Sequence, residues 1–410
     1  MNLLDHELTA QLEQLHAQGL YRELRRVASP QGPHITIDGH PLLNFSSNDY
    51  LSLANEPVLR EAAKKAVDNF GAGSGASRLI CGSLTPHHEL EETLAQFKGT
   101  QAALAFSTGY AAAIGTICAL LDKNDVIIID KLVHACVVDA ARLCGARLRV
   151  FAHNDADDLE KILKWADAKR AAGVSSAGSS GGIRAARSPR ILIVTESVFS
   201  MDGDLAPLRE IIELKEKFGA WLMLDEAHAT GLYGEKRRGL AEAFGFADRI
   251  EVQMGTLGKA LGAAGGYICG SRPLIDLLIN RARSFIFSTA PVPAAAAAAT
   301  AAIRLVQSDE GEVRRARLWQ RVDEVKNRLI SADWTLPPVR SAIIPLMVGA
   351  EMKAAELANA FREQGIFIPA IRYPTVARGE ARLRLTVTSA HTPQDIAQLA
   401  GGFSLLKSRI

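Results

Sequence analysis

The sequence lacks long hydrophobic runs, paired cysteine motifs and an excess of charge of either sign. No apolar stretch approaches the roughly 20 residues that a membrane-spanning helix needs, and the acidic start, with Asp5 and Glu7, is unlike a signal peptide. The five cysteines are scattered without C-x-x-C spacing, which excludes a recognisable disulfide framework or zinc site. A formal net charge of +2 favours neither nucleic acid nor an anionic membrane. We therefore expect a cytoplasmic protein that acts on small molecules, with no metal, nucleic-acid or membrane partner.

The chain of 410 residues is longer than one hydrophobic core usually supports, so two domains are expected. From about residue 100, short apolar segments alternate with helical ones. Continuous apolar strands separated by helices predict an α/β domain with a mostly parallel sheet covered on both faces. The expected strands are Ala102–Phe106, Val126–Asp130, Leu148–Phe151, Ile191–Thr195, Trp221–Asp225 and Glu251–Met254.

Changes of pattern divide the chain into three parts. Residues 1–45 are predicted to form an N-terminal arm, with an amphipathic helix over 3–26 that packs on the main body, because leucines recur there at helical spacing. Residues 46–291 form the expected large domain, and 292–410 a smaller α+β domain that begins after Pro291. The segment 171–188, rich in glycine and serine, is interpreted as a flexible surface insertion.

A lysine downstream of an acidic strand end is the most informative feature. The apolar strand that starts at Trp221 ends in Asp225, with His228 close behind, and Lys259 follows Asp225 by 34 residues in a turn of small residues. The acid can keep a pyridine nitrogen protonated, the histidine can bind a phenolic oxygen, and the lysine amine can form a Schiff base. Together these residues predict a site for pyridoxal 5'-phosphate.

Two other functions would share parts of this pattern. The acidic box that begins at Asp225 is found in helicase-type ATPases, but those enzymes need a phosphate loop, and Gly255–Ala260 has the wrong glycine spacing and no hydroxyl after the lysine. The segment Gly71–Ala76 resembles a dinucleotide-binding loop, yet it follows a helical stretch, not a strand. Both alternatives are therefore disfavoured.

Further polar residues follow other predicted strands. The turn that contains Gly109 and Tyr110 precedes a helix, whose N-terminal N–H groups attract phosphate. His134 follows the next strand, where it can stack on an aromatic ring, and Ser200 can donate to the same ring oxygen as His228. Near the C-terminus, Arg382 and Arg384 lie on one side of a strand, and arginine binds carboxylates in a bidentate manner. We expect this pair to meet an amino-acid substrate.

With these residues assembled, the sequence resembles the α-oxoamine synthase family of fold-type I pyridoxal-phosphate enzymes over nearly its whole length. The resemblance implies fold type I, with a mostly parallel sheet of the seven-stranded kind in the large domain. The motifs that carry it are Asn44–Leu51, Gly73–Gly75, Thr195–Asp204, Asp225–Gly231, Thr256–Gly262 and Ala381–Leu385.

The resemblance also implies a role for each matching residue. Lys259 is expected to form the Schiff base, Asp225 to bind the pyridine nitrogen and His134 to stack on the ring. The remaining cofactor contacts are expected from Ser200 and His228 at the ring oxygen, from Gly109, Tyr110 and Thr256 at the phosphate, and from Ser288 and Thr289 of the neighbouring subunit. Substrate is expected to meet Arg22, Asn48, His134, Thr375 and Arg384.

Enzymes of this family are homodimers that share their active sites, and a homodimer is expected here. They join an amino acid to an acyl thioester and release carbon dioxide. The stretch from Ile371 to Val376 and the strand after it resemble the members that use L-alanine and a pimeloyl thioester, carried by coenzyme A or by a carrier protein. Members that use glycine or serine with other thioesters remain the alternative, and Tyr373 stands where many members have proline.

Overall fold

The computed structural model describes residues 2–177 and 187–406. The strands in these ranges are β1 (His34–Ile37), β2 (His40–Asn44), β3 (Ala102–Phe106), β4 (Val126–Asp130), β5 (Arg147–Phe151), β6 (Ile191–Glu196), β7 (Trp221–Asp225), β8 (Val252–Thr256), β9 (Gly266–Gly270), β10 (Ile343–Gly349), β11 (Ile366–Phe367), β12 (Ala370–Ile371) and β13 (Ala381–Thr386). The helices are α1 (Leu3–Ala17), α2 (Pro57–Phe70), α3 (Thr85–Lys98), α4 (Gly109–Leu120), α5 (Ala135–Leu143), α6 (Ala156–Ala177), α7 (Leu208–Lys217), α8 (Leu240–Ala243), α9 (Arg272–Arg281), α10 (Arg283–Ile286), α11 (Pro293–Gln307), α12 (Asp309–Ser331), α13 (Glu351–Glu363) and α14 (Pro393–Leu406).

The chain divides into two compact units. The large unit comprises Glu56–Ser200 and Leu205–Val313, and the small unit comprises Met1–Asn55, Met201–Asp204 and Arg314–Ile410. These bounds differ from the division expected from the sequence. Helix α11 belongs to the large unit because it packs on α2 and α3, and the N-terminal residues belong to the small unit because β2 pairs with β11.

The large unit contains a seven-stranded sheet in the order β3-β9-β8-β7-β6-β4-β5. Strand β9 runs antiparallel to both of its neighbours, β3 and β8, and the other pairs are parallel. The mostly parallel sheet predicted from the apolar segments is therefore confirmed. Strand β9 was not predicted, because Gly266 and Gly270 at its ends interrupt the apolar pattern.

Helices cover both faces of this sheet. Successive side chains of each strand point to opposite sides, so a buried strand contributes to two cores. In β4, Ile127 and Ile129 join a core with α4, α5 and α9. Val126 and Ile128 join a second core with α6 and α7 on the other face. This double burial explains why the central strands are largely apolar, whereas the edge strand β5 is partly exposed and carries Arg147 and Arg149.

The small unit contains two three-stranded sheets, β1-β2-β11 and β10-β13-β12. Strands β1 and β2 form an antiparallel pair, and β11 lies parallel to β2. The second sheet is antiparallel throughout, with β13 in its centre. The α+β character predicted for the C-terminal residues matches this arrangement.

Two expectations need correction. The N-terminal helix ends at Ala17, earlier than predicted, and Gly19 follows with a φ of +65° that a helix does not allow. No residue of α1 is buried within the single chain, although packing on the main body was expected. The expected flexible insertion begins inside α6, which continues to Ala177, and its residues 178–186 lie outside the described residues.

Three negative findings apply to the described residues alone. None of their helices combines the length and the apolar character needed to cross a membrane. No group of three or more histidine, cysteine, aspartate or glutamate side chains is arranged to hold a metal ion there. The cysteines occur as free thiols, two of them buried, at Cys81, Cys118, Cys136, Cys144 and Cys269.

Candidate active site

The polar residues selected from the sequence follow the ends of parallel strands in the large unit. Strands β4, β6, β7 and β8 are parallel to one another. Strand β3 runs in the same direction, because β9, which lies between β3 and β8, is antiparallel to both. Their carboxyl ends meet at one edge of the sheet, where such sheets bind ligands. The predicted residues at this edge are Gly109 and Tyr110 after β3, His134 after β4, Ser200 after β6, Asp225 and His228 at and after β7, and Thr256 and Lys259 at and after β8.

Lys259 lies in a tight turn directly after β8. Its Nζ atom is 3.0 Å from the hydroxyl oxygen of Thr256, the last residue of the strand. The N–H of Gly262 donates to the carbonyl of Lys259 at 2.8 Å, and Gly262 has a φ of +60°, which favours glycine. The turn and the strand end thus fix the position of the amine.

Asp225 is the last residue of β7, and its side chain is buried. Its Oδ1 atom accepts a hydrogen bond from the N–H of Ala227 at 2.8 Å. Burial raises the pKa of Asp225, while the nearby ammonium group of Lys259 acts in the opposite direction. A cation placed against this carboxylate would be stabilised, which suits a protonated pyridine nitrogen.

His134 caps helix α5, and its Nδ1 atom accepts the N–H of Cys136 at 3.2 Å. Burial lowers the pKa of His134, so the ring is neutral at neutral pH. Ser200 and His228 are both buried, and they follow the neighbouring strands β6 and β7. These three side chains supply an aromatic ring and polar atoms beside Asp225.

The N-terminus of α4 provides the predicted phosphate site. Thr108 caps the helix by accepting the N–H of Ala111 at 3.0 Å. A Cβ atom at Gly109 would lie 2.6 Å from Cγ2 of Thr256, so a side chain there would displace Thr256. The helix start and Thr256 therefore lie together, and N–H groups at a helix start bind phosphate.

Ser288 and Thr289 lie between α10 and α11. Thr289 forms an antiparallel bridge with Ser77, and the N–H of Ala290 donates to the carbonyl of Ala76 at 3.0 Å. The pair is thus held beside the glycine-rich segment, which follows α2 and lacks the strand of a dinucleotide site. The expected role of Ser288 and Thr289 in a neighbouring subunit stays a prediction.

The predicted substrate residues form two contacts within the small unit. Both terminal nitrogens of Arg384 donate to Oδ1 of Asn48 at 3.1 Å, and Nη2 of Arg22 lies 3.3 Å from the Thr375 hydroxyl. Arg382, on the same side of β13, forms an ion pair with Asp202. The two strand arginines therefore differ, because Arg382 contacts a carboxylate and Arg384 contacts the amide oxygen of Asn48.

Glu196 lies among the predicted residues, although no role was predicted for it from the sequence. Its Oε1 atom accepts the N–H of His134 at 2.6 Å, and its Oε2 atom accepts the N–H of Ser200 at 3.2 Å. Burial and the negative charge of Asp225 raise the pKa of Glu196. A charged residue at the end of an otherwise apolar strand was the available signal.

The donor set at the strand ends fits pyridoxal 5'-phosphate. Lys259 offers an amine, and Asp225 offers a buried carboxylate. Gly109 lies at the start of a helix, where a Cβ atom would collide with Thr256. Fold and site together define a fold-type I pyridoxal-phosphate enzyme, and the chain belongs to the aminotransferase class I and II family, which matches residues 40–403.

Comparison with individual proteins narrows the class. The chain is 45% identical to an 8-amino-7-oxononanoate synthase of Geobacter sulfurreducens, over 96% of each chain. A serine palmitoyltransferase structure from S. paucimobilis with bound PLP covers 100% of this chain and 99% of its own, with a TM-score of 0.88 and 29% identity. An 8-amino-7-oxononanoate synthase structure from Francisella tularensis covers 90% and 98%, with a TM-score of 0.71 and 26% identity.

These relatives confirm the resemblance to the α-oxoamine synthases and the expected fold type. The chain is a pyridoxal-phosphate-dependent transferase. The contacts predicted for its individual site residues remain predictions.

Proposed function

We propose that this enzyme condenses L-alanine with a pimeloyl thioester, with loss of carbon dioxide and release of the thiol, to form 8-amino-7-oxononanoate in biotin biosynthesis. The observation that carries the proposal is the Lys259 amine, held 3.0 Å from the Thr256 hydroxyl beside the strand end that carries Asp225. The 45% identity to the Geobacter sulfurreducens synthase supports the choice of substrates.

The residues of the large unit bind the cofactor in this proposal. Bound pyridoxal phosphate would supply an electron sink for the bond that breaks at the amino acid's α-carbon. Lys259 would hold the cofactor through its aldehyde, and its Nζ atom would serve as the base for the α-proton. Asp225 keeps a proton on the pyridine nitrogen, and His134 stacks on the ring. Ser200 and His228 bind the ring oxygen, and Gly109, Tyr110 and Thr256 hold the phosphate.

The residues of the small unit recognise substrate. We assign the α-carboxylate of L-alanine to Arg384, whose fork of N–H donors matches a carboxylate. Asn48 orients that guanidinium through its 3.1 Å contacts. Arg22 and Thr375 are assigned to further substrate contacts. We also propose a cytoplasmic homodimer in which Ser288 and Thr289 reach the phosphate of the neighbouring subunit's site.

A second candidate function follows from the solved structures. The TM-score of 0.88 to serine palmitoyltransferase exceeds that of 0.71 to the Francisella tularensis synthase, which favours a test of serine. Glycine, used by 2-amino-3-ketobutyrate CoA ligase, is a further alternative within the family. The identity of 45% to the Geobacter sulfurreducens synthase, against 29% to the serine palmitoyltransferase, supports L-alanine as the preferred substrate.

A competition assay tests these alternatives. Purified enzyme with pyridoxal phosphate receives equal concentrations of L-alanine, glycine and L-serine, together with pimeloyl-CoA, acetyl-CoA or palmitoyl-CoA. The proposal predicts 8-amino-7-oxononanoate by mass as the main product, with one carbon dioxide released per thiol. A product from palmitoyl-CoA and L-serine, or from acetyl-CoA and glycine, would contradict it. A parallel reaction with pimeloyl carrier protein identifies the preferred thioester.

A further inference from the structure

The carboxylate of Glu196 joins two turns that each carry a predicted cofactor contact. Glu196 is the last residue of β6, and its side chain is buried. One oxygen accepts the N–H of His134, 62 positions away in sequence, and the other accepts the N–H of Ser200. A single side chain therefore connects the turn after β4 to the turn after β6.

We propose that Glu196 is a positioning residue that holds His134 and Ser200 in register for the cofactor ring. The inference rests on the proposed function, because it assumes that these two side chains contact pyridoxal phosphate. Glu196 itself need not touch the ring, since it acts through the backbone of both turns.

The chemistry of the two contacts requires a carboxylate. Both partners are backbone N–H donors, and a carboxylate offers an acceptor oxygen to each of them. Glutamine has the same shape but only one oxygen, so its NH₂ group would face an N–H donor. One donor would then be buried without an acceptor, and such a group is costly to leave unpaired.

The position also carries an electrostatic cost that packing alone does not explain. Glu196 is buried, and the carboxylate of Asp225 lies near enough to act on its charge. Burial and the like charge both disfavour the ionised form of Glu196, which is why its pKa is raised to about 8, and a residue that served packing alone would be apolar. The N–H donors of His134 and Ser200 offset part of this cost. Because both donors bind the same carboxylate, the distance between the turn after β4 and the turn after β6 is fixed.

The test compares Glu196→Gln with a matched substitution at the other end of the sheet. Glu251 accepts the N–H of Leu222, near the start of β7, at 2.8 Å, so Glu251→Gln also perturbs a backbone contact in the large unit. The dissociation constant for pyridoxal phosphate and the circular dichroism of the bound cofactor are measured for both variants and the wild type. Thermal unfolding of the cofactor-free proteins measures the purely structural effect.

We expect Glu196→Gln to weaken cofactor affinity about tenfold, which corresponds to ~1.4 kcal/mol, and to change the cofactor's circular dichroism. Turnover should fall while the KM for L-alanine stays nearly constant. Glu251→Gln should change thermal unfolding alone. Wild-type cofactor affinity and dichroism in Glu196→Gln would overturn the inference, even if the variant unfolds at a lower temperature.

A second variant covers the case in which Glu196→Gln does not fold. Glu196→Asp keeps the charge but is one methylene too short to reach both donors, so cofactor affinity should fall between those of the wild type and the glutamine variant. Wild-type affinity, dichroism and turnover in Glu196→Asp would overturn the inference.

The wild-type protein distinguishes failure of this inference from failure of the proposed function. If it binds pyridoxal phosphate but makes no aminoketone, the proposed substrates are refuted and the role of Glu196 can still be tested. If it binds no cofactor, both proposals are refuted.

Discussion

The amine of Lys259 lies 3.0 Å from the hydroxyl of Thr256, at the end of strand β8. The two residues are three positions apart, and the loop from Leu257 to Gly265, which contains Lys259, is closed by backbone hydrogen bonds. The contact links the residue proposed to bind the cofactor covalently to one proposed to hold its phosphate. A single substitution at Thr256 can therefore remove both contacts.

Removal of the Thr256 hydroxyl should weaken cofactor binding. Thr256→Val has a similar shape but cannot hydrogen-bond to Lys259 or to phosphate, so we expect an about tenfold rise in the dissociation constant of pyridoxal phosphate, as for the loss of roughly one hydrogen bond to a charged group. A fluorescence titration of cofactor-free protein measures this. Thr256→Ser keeps the oxygen and should stay close to wild type, and equal affinities for the valine and wild-type proteins would contradict the assignment.

A buried ion pair next to the site should dominate local stability. Nζ of Lys98 lies 2.5 Å from Oε2 of Glu226, and both side chains are buried. Burial by itself lowers the pKa of Lys98, but the charge of Glu226 offsets this and the net shift is upward. The other oxygen of Glu226 accepts the N–H of Ala241 at 2.9 Å. The pair thus anchors the segment that follows Asp225.

Lys98→Met should lower the free energy of unfolding by about 3–5 kcal/mol, because it leaves the Glu226 charge buried without its cation. The double variant Lys98→Met with Glu226→Gln should recover part of this loss. Lys64 pairs with Glu61 on the surface, so Lys64→Met serves as the control and should cost only about 0–1 kcal/mol. Chemical denaturation of the four proteins measures the differences, and equal losses for the two single variants would contradict the prediction.

Stability should fall in acid because of His391 in the small unit. Its Nδ1 atom accepts the N–H of Thr388 at 2.9 Å, its Nε2 atom lies 3.0 Å from the carbonyl of Asn44, and its ring stacks on Phe45. Burial lowers the pKa of His391 to about 4. The folded protein thus holds the neutral ring, whereas the unfolded chain binds a proton near its ordinary value of about 6.5.

Since the folded-state pKa is the lower one, the contribution of His391 is complete above about pH 6.5 and is lost as the pH falls toward 4. Urea unfolding of the wild type between these values should show up to one proton of extra uptake, or ~1.4 kcal/mol per pH unit. His391→Asn should remove that slope, whereas His6→Asn on the exposed helix α1 should not. An unchanged slope in His391→Asn would contradict the assignment.

Much of the large unit could be predicted because most of its parallel strands are buried on both faces, which leaves largely apolar runs in the sequence. Strand β9 could not, because glycines at both ends weaken the same signal. The end of α1 was placed too late, since Arg22 and Arg25 continue the helical composition although the backbone turns at Gly19. Local patterns predict elements better than they predict where the elements stop.

The candidate site could be predicted where chemistry dictates residue type at a strand end, as for Asp225 and Lys259. The role of Glu196 could not, because it depends on two backbone N–H groups that are distant in sequence. The difference between Arg382 and Arg384 was equally hidden. Both lie on one side of β13, and only the structure reveals that Asp202 pairs with the first and Asn48 with the second.

Reduction of the holoenzyme with borohydride, followed by peptide mass analysis, identifies the residue that binds the cofactor covalently. Borohydride converts a Schiff base to a stable amine, so the cofactor should remain on the peptide that contains Lys259. Lys259→Ala should fold, bind the cofactor reversibly and give no modified peptide. We expect a pyridoxyl group on Lys259 alone. A folded, cofactor-saturated wild type with the group on another lysine, or with none, would contradict it.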